Sequence, residues 1–329
     1  MTRPRILLIG QQRWASSLAT GLHGADLDVA VSGLGSLRRA LSRRTWIQVH
    51  HAELIVRVGF RPGARTCRGK AFDLGLRIFA KKSAQTCCYW IGTDVLQLAK
   101  DARSGTRLWT WPSPKLSSMS HIAGSEPLRR ELEESGVSAG VVGFPWKTVQ
   151  PPCPLPALPE IFTVATYIPD TRSGFYGGPI LLEVARQLPG VRFEVMGGTG
   201  VWAADAPSNV IFVGWLSDPA PLYARSSCVI RLVEHDSIGA TAVEGLLFGR
   251  PVIYSQDLAY TEKVDISVEI VVSAIERLYD RHQQGSLEPD NAAAAWACGE
   301  FDHVRRFVDL ADYLRSLVAG TSSSGQCSP

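Results

Sequence analysis

DSIGATAVEGLLFGRPVI, residues 236 to 253, holds two acids eight positions apart, Asp236 and Glu244, with Gly239 between them. Apolar residues follow, then Gly249, Pro251 and the β-branched pair Val252-Ile253. This order predicts a loop, a helix and a buried parallel strand. Gly239 has no Cβ, so backbone there can approach a ligand closely. The amides of Ser237, Ile238, Gly239 and Ala240 would open the helix and point N–H groups at an anion. Eight residues are about two helical turns plus the loop, at ~3.6 residues per turn. Glu244 is thereby placed further down the same element, in reach of a diol such as ribose.

Outward from this stretch, strand and helix patterns alternate. In the first half, strands are expected at 5–10, 27–31, 54–58, 86–91 and 120–123, with helices at 15–22, 70–83 and 126–135. In the second half, strands are expected at 162–167, 192–196, 209–213, 228–233 and 252–254, with helices at 178–187, 219–225, 244–248 and 272–283. Such alternation argues parallel, doubly wound sheets. Between the halves lies TVQPPCPLPALP, residues 148–159, whose prolines exclude helix and central strand and mark a linker. The expected domains are 1–150 and 151–300, with a last helix near 302–319 and a small, polar, disordered tail over 320–329.

With 329 residues, the chain is long enough for two ordinary domains. A net charge of +3 gives no ground for a nucleic-acid partner. No apolar run approaches the ~20 residues of a membrane span, and MTRPRILLIG has no signal-peptide cleavage region, so a cytoplasmic protein is expected. Seven scattered Cys form no C-x-x-C pair or His/Cys cluster. No metal site is expected, and the thiols read as buried and free.

Other strand ends carry candidate chemistry. YIPDTRSGFYGG, residues 167–178, is a glycine-rich strand-to-helix turn. Its Arg172 offers a guanidinium fork and its backbone offers amides, a combination suited to a pyrophosphate. Tyr176 lies in the same turn. VMGGTG places Gly197 and Gly198 where a doubly wound sheet binds ligands. FVGWLSD carries Trp215, and a buried core tryptophan is one reading of it. RLVEHDSIG ends a strand in Glu234, His235 and Asp236, and three ionisable side chains together are poor core residues. In the first half, YWIGTDVL breaks at Gly92 and presents Thr93 and Asp94, either to a ligand or as a helix cap. The turn after the first strand, with Gly10 and Gln11, lacks a full G-x-G-x-x-G, so no dinucleotide cofactor is expected. Residues 38–82 are rich in Arg and Lys, opposed only by Glu53 and Asp73.

The 236–253 stretch resembles the signature of the retaining, family-4-like glycosyltransferases of the GT-B fold. That signature has a Glu, seven residues, a second Glu, a small-residue helix and G-x-P-V-I. Glu244, Gly249, Pro251, Val252 and Ile253 match, while Asp236 stands one methylene short of the first Glu. The resemblance implies an α/β protein of two Rossmann-like domains facing a central cleft, the last helix crossing back to the first. It implies transfer of a sugar from a nucleotide-diphosphate sugar to an acceptor hydroxyl, with retention of configuration and no metal or other cofactor. Asp236 would face the donor sugar, Glu244 the ribose, and Trp215 the base. Arg172 would be one member of a basic pair on the diphosphate; Tyr167 stands where the family often has Arg. Ser237, Ile238, Gly239, Glu234 and His235 fall on the donor side. Gly10, Gln11, Gly92 and Thr93 fall on the acceptor side, and Asp94 is the first-half catalytic candidate beside Asp236 and Glu244. Relatives acting on lipid-linked acceptors often turn a basic first-domain face to membranes, which would make residues 38–82 a peripheral membrane contact; an ordinary solvated basic face is the other reading. Two rivals stand beside this reading: a non-catalytic GT-B protein that binds a sugar nucleotide or a partner, and a sugar-nucleotide epimerase of the same fold.

Overall fold

The computed structural model describes residues 5–10, 12–23, 25, 27–33, 42–59, 67–105 and 115–323. The chain divides into two compact units, Met1–Trp146 with His303–Pro329, and Lys147–Asp302.

The first unit begins with β1 (Arg5–Gly10), α1 (Gln12–His23), β2 (Asp28–Gly33), α2 (Arg43–His51) and β3 (Leu54–Val58). It continues with α3 (Cys67–Phe79), β4 (Gln85–Trp90), α4 (Thr93–Arg103), β5 (Ser120–Ala123), α5 (Glu126–Glu134) and β6 (Gly140–Val141). Among the described residues the strands form one parallel sheet in the order β2-β1-β3-β4-β5-β6. Helices cover both faces, so strands such as ILLI, residues 6–9, are apolar at every position and wholly buried. One charged pair lies inside: Arg57 on β3 meets Asp73 on α3 at 2.7 Å, both buried.

The second unit runs β7 (Thr163–Tyr167), α6 (Gly178–Gln187), β8 (Arg192–Met196), β9 (Val210–Gly214), α7 (Ala220–Ala224) and β10 (Cys228–Arg231). Then come α8 (Ala240–Leu247), β11 (Val252–Tyr254), β12 (Thr261–Lys263), α9 (Val268–Gln283) and α10 (Asn291–Glu300). Its sheet is parallel, in the order β12-β11-β10-β7-β8-β9. The chain runs outward from β7 to β9, then returns to the other side of β7 to begin β10. The carboxyl ends of β7 and β10 therefore flank the topological switch point, where doubly wound sheets bind ligands.

The last helix, α11 (His303–Ser323), belongs to the first unit. Leu310, Ala311 and Leu314 enter that unit's core. Phe307 lies so close to Gly21 that a Cβ there would sit 2.2 Å from the ring. Arg306 donates to the carbonyl of Phe144 at 3.4 Å. The helix continues through Ser323, past Gly320, where the composition suggested a disordered tail; residues 324–329 lie outside the described residues.

Several elements were not legible in advance. Helix α2 buries only Thr45 and Val49, too few apolar positions to show a period, and its start is set by the Ser42 side chain accepting from the Thr45 amide. Helix α10 is alanine-rich and without an apolar stripe, capped by Asp290. Strand β12 is three polar residues at a sheet edge. Helix α8 starts at Ala240, four residues before the expected 244–248 segment. Cys87, Cys88 and Cys228 are buried as expected, but Cys153 and Cys298 are exposed. Among the described residues no helix is long and apolar enough to cross a membrane.

Candidate functional site

The loop after β7 folds as two short 3-10 turns, Asp170–Arg172 and Gly174–Tyr176. It is tied to the end of β10 by the Glu234 amide, which donates to the Phe175 carbonyl at 3.1 Å. Arg172 is exposed, with its guanidinium 4.0 Å above the Phe175 ring and 5.8 Å from Tyr176. It forms no ion pair among the described residues. A cation held on an aromatic face and left without a carboxylate is available to an anionic ligand. Aromatic rings continue from there: Phe175 on Tyr176, Tyr176 on Tyr167, and Tyr167 at 6.5 Å from Trp215. Trp215 is 63% exposed, which settles its two readings against the core.

The glycines after β8 have a packing reason. Gly197, at φ +102, would drive a Cβ into the Tyr167 ring at 2.5 Å, and Gly198 would strike Asp170 Oδ1 at 2.6 Å. Asp170 accepts from the Thr199 amide at 2.9 Å, the Thr199 hydroxyl at 3.2 Å and the Gly200 amide at 3.0 Å. The Thr199 N–H, with the others, holds its carboxyl below the usual carboxylate range. The glycine-rich turn thus grips a carboxylate of its own.

At the end of β10, Asp236 Oδ2 accepts from Arg231 Nε at 2.6 Å and from the Tyr254 hydroxyl at 3.0 Å. Tyr254 in turn accepts the Gly239 amide at 3.0 Å. That amide, expected to face an anion, is therefore spent inside the protein. Gly239 is required by a side chain: a Cβ there would lie 2.1 Å from Arg231 Nε. Asp236 Oδ1 has no hydrogen-bond partner among the described residues. One oxygen is locked and the other is held out at a fixed position. Glu234 is exposed, while His235, Ser237 and Ile238 are half-buried beside it.

Glu244 lies in the second turn of α8 and is half-buried. Its Oε2 accepts from the Tyr223 hydroxyl at 2.7 Å. Burial pushes its pKa up to about 7, against the Tyr223 hydrogen bond and the Arg231 charge, which favour the anion; Asp218 adds a small upward push.

In the first unit, Gly92 has φ +147, which a side chain would resist, and it caps α4. Asp94, the second residue of α4, reaches back to the amides of Ile91 at 3.2 Å and Gly92 at 2.8 Å. Its carboxylate fastens the strand-to-helix turn, with burial raising its pKa against those bonds. Thr93 is exposed beside it. Gly10 packs on β3, where a Cβ would meet the Val58 carbonyl oxygen at 2.1 Å. Gln11 lies outside the described residues. Arg231, Tyr223 and Tyr254 were not legible as site residues, because only the tertiary fold brings them to the two acids.

No model of a known protein family matches the chain. A curated relative, an uncharacterized glycosyltransferase of Methanosarcina acetivorans, is 33% identical over 86 residues, 25% of this chain and 21% of the relative. The match thus spans about a fifth of that relative's length. Among solved structures, HepE of Anabaena in complex with UDP and glucose has TM-score 0.66 at 15% identity, covering 95% of this chain and all 100% of its own. A glycosyltransferase of Rickettsia africae has TM-score 0.66 at 11% identity, covering 97% and 99%. Sucrose-phosphate synthase of Thermosynechococcus elongatus has TM-score 0.65 at 13% identity, covering 97% and 100%. Two parallel six-stranded sheets with flanking helices, matched over nearly the whole chain, establish the fold as the GT-B fold of two Rossmann-like domains.

Proposed function

We propose that the protein is a cytoplasmic glycosyltransferase of the retaining, family-4-like kind, taking a nucleotide-diphosphate sugar as donor and an alcohol as acceptor. One observation carries the reading. At the two strand ends flanking the switch point of the second unit stand a guanidinium, Arg172, without an ion pair among the described residues, and a carboxylate, Asp236, with one oxygen unengaged among them. In this reading Arg172 holds the diphosphate, Asp236 Oδ1 a hydroxyl of the donor sugar, Glu244 the ribose and Trp215 the base. Asp94 and the turns at Gly10 and Gly92 serve the acceptor. Transfer calls on positioning and charge stabilisation and on no resident cofactor. The UDP-sugar complexes of HepE support UDP-glucose as the first donor to test.

Arg172→Ala tests the phosphate role. The variant should lose about 1.5–3 kcal/mol of UDP affinity, as for a hydrogen bond to a charged group, while uridine binding stays near native. Calorimetry showing equal losses for UDP and uridine would point to a disturbed loop.

The acceptor side carries a second expectation. Helices α2 and α3 pack together, with Trp46 on Phe72 and Phe79. They expose Ile47, Ile78 and Phe79 among Arg43, Arg44, Lys70, Arg77, Lys81 and Lys82. Apolar side chains ringed by cations suit an anionic bilayer surface, each cation adding about 1 kcal/mol of screened attraction. We infer a lipid-linked acceptor met at that surface. Sedimentation with phosphatidylserine vesicles should be strong at low salt and fall steeply as salt rises. Absence of binding at low salt would leave a water-soluble acceptor.

A further inference from the structure

We propose that Tyr223 is a positioning residue for the donor nucleotide, its hydroxyl fixing the Glu244 carboxylate where the ribose diol must meet it. The inference deepens the donor-site reading and rests on it. Tyr223 is fully buried, yet its hydroxyl ends 2.7 Å from Glu244 Oε2. Burial raises the phenol well above its ordinary range, so the proton stays on tyrosine and the hydroxyl donates. Glu244 Oε1 has no partner among the described residues, so the hydrogen bond fixes the carboxylate and leaves one oxygen for a ligand.

The position of the Tyr223 ring is itself enforced. Helix α7 is five residues long and has little stability of its own. Arg250, wholly buried, clamps its last turn: Nε donates to the Tyr223 carbonyl at 3.1 Å and Nη2 to the Ala224 carbonyl at 2.9 Å. The Tyr223 ring also lies 5.8 Å from Phe248, just past the end of α8. The backbone that carries the hydroxyl is thus held from β11's approach, and the ring from the helix that carries Glu244.

The groups acting on Glu244 can be named. Tyr223 on α7 and Arg231 on β10 favour its anion, and Asp218 in the loop before α7 opposes it. Helix α10, packed on α8, contributes Cys298 and Glu300 as titratable groups, both exposed. If the ionised carboxylate accepts the ribose hydroxyls, nucleotide affinity should rise as pH increases through about 7. Tyr223→Phe removes a bond that stabilises the anion, so the rise should move to higher pH.

The test uses the full chain with UDP, GDP, ADP and CDP, measured by calorimetry on both sides of neutrality, with thermal melts on each variant. Tyr223→Phe should weaken the best-bound nucleotide about five- to tenfold at neutral pH, as expected for the loss of one hydrogen bond of ordinary net strength, and displace the affinity rise upward. Glu244→Gln should weaken binding and flatten the pH dependence. Adding Tyr223→Phe to Glu244→Gln should then cost nothing more. If Tyr223→Phe lowers the melting temperature but leaves both affinity and pH profile native, while Glu244→Gln loses both, the positioning role is overturned and the donor-site reading survives. If Glu244→Gln binds every nucleotide as the native protein does, or the native protein binds none, the donor-site reading falls and the inference with it.

Discussion

Asp236→Glu is expected to lower turnover about a hundredfold while nucleoside-diphosphate affinity stays nearly constant, because a misplacement near 1 Å in a positioned group costs about that much. The added methylene has no room to be absorbed. Oδ2 is held by Arg231 and Tyr254, and Gly239 closes the third side so tightly that a Cβ there would sit 2.8 Å from that oxygen. Either the lengthened side chain keeps Arg231 and swings its outer oxygen off the sugar, or it keeps the sugar and abandons Arg231. Asp236→Asn keeps the shape and loses the charge, so it should reduce turnover with a smaller geometric disturbance. Steady-state kinetics with UDP-glucose, beside calorimetry with UDP, checks both. Native turnover of Asp236→Glu on every donor would show that the shorter acid has no bearing on the sugar. Native affinity with lost donor cleavage in Asp236→Asn would separate binding from transfer.

Asp73→Ala is expected to destabilise the first unit by roughly 3–5 kcal/mol, the cost of breaking a buried charge pair by removing one member. Arg57 and Asp73 are 0% and 1% exposed, so water cannot replace the lost carboxylate. The pair lies between β3 and α3, and α3 carries Ile78 and Phe79 of the basic face. Replacing both partners by apolar residues of similar volume, Arg57→Met with Asp73→Leu, should recover much of the loss, since the desolvation cost of the charges disappears with them. Denaturant titration of the three proteins, read by circular dichroism, gives the comparison. A single variant as stable as the native chain would mean that the guanidinium finds another partner.

The order of strands and helices was legible because buried parallel strands are continuous apolar runs, such as ILLI and CVI. The edge elements were not, because α10 and β12 carry neither apolar period nor alternation. At the candidate site, Arg172, Asp236 and Glu244 could be named from spacing and resemblance. What each touches could not. The roles of Gly197, Gly198 and Gly239 show why: glycine marks a close approach but does not say what approaches. In this chain the close neighbours are Tyr167, Asp170 and Arg231. Tyr223 and Tyr254 lie 21 and 18 residues from the acids they hold, separations that no local pattern reports.

The placement of α11 has a consequence for how the chain is made. The second unit is one uninterrupted segment, whereas the first unit's core is completed by Leu310, Ala311 and Leu314, supplied after residue 302. A ribosome delivers the chain from the amino end at about 5–20 residues per second. The β1–β6 sheet therefore emerges first but waits, with the groove beside Gly21 open, until Phe307 and its neighbours arrive. The segment synthesised later, residues 147–302, has every part of its core in hand sooner. Birth order and completion order are reversed, so the amino-terminal unit is the one whose apolar surface stays uncovered longest on the nascent chain.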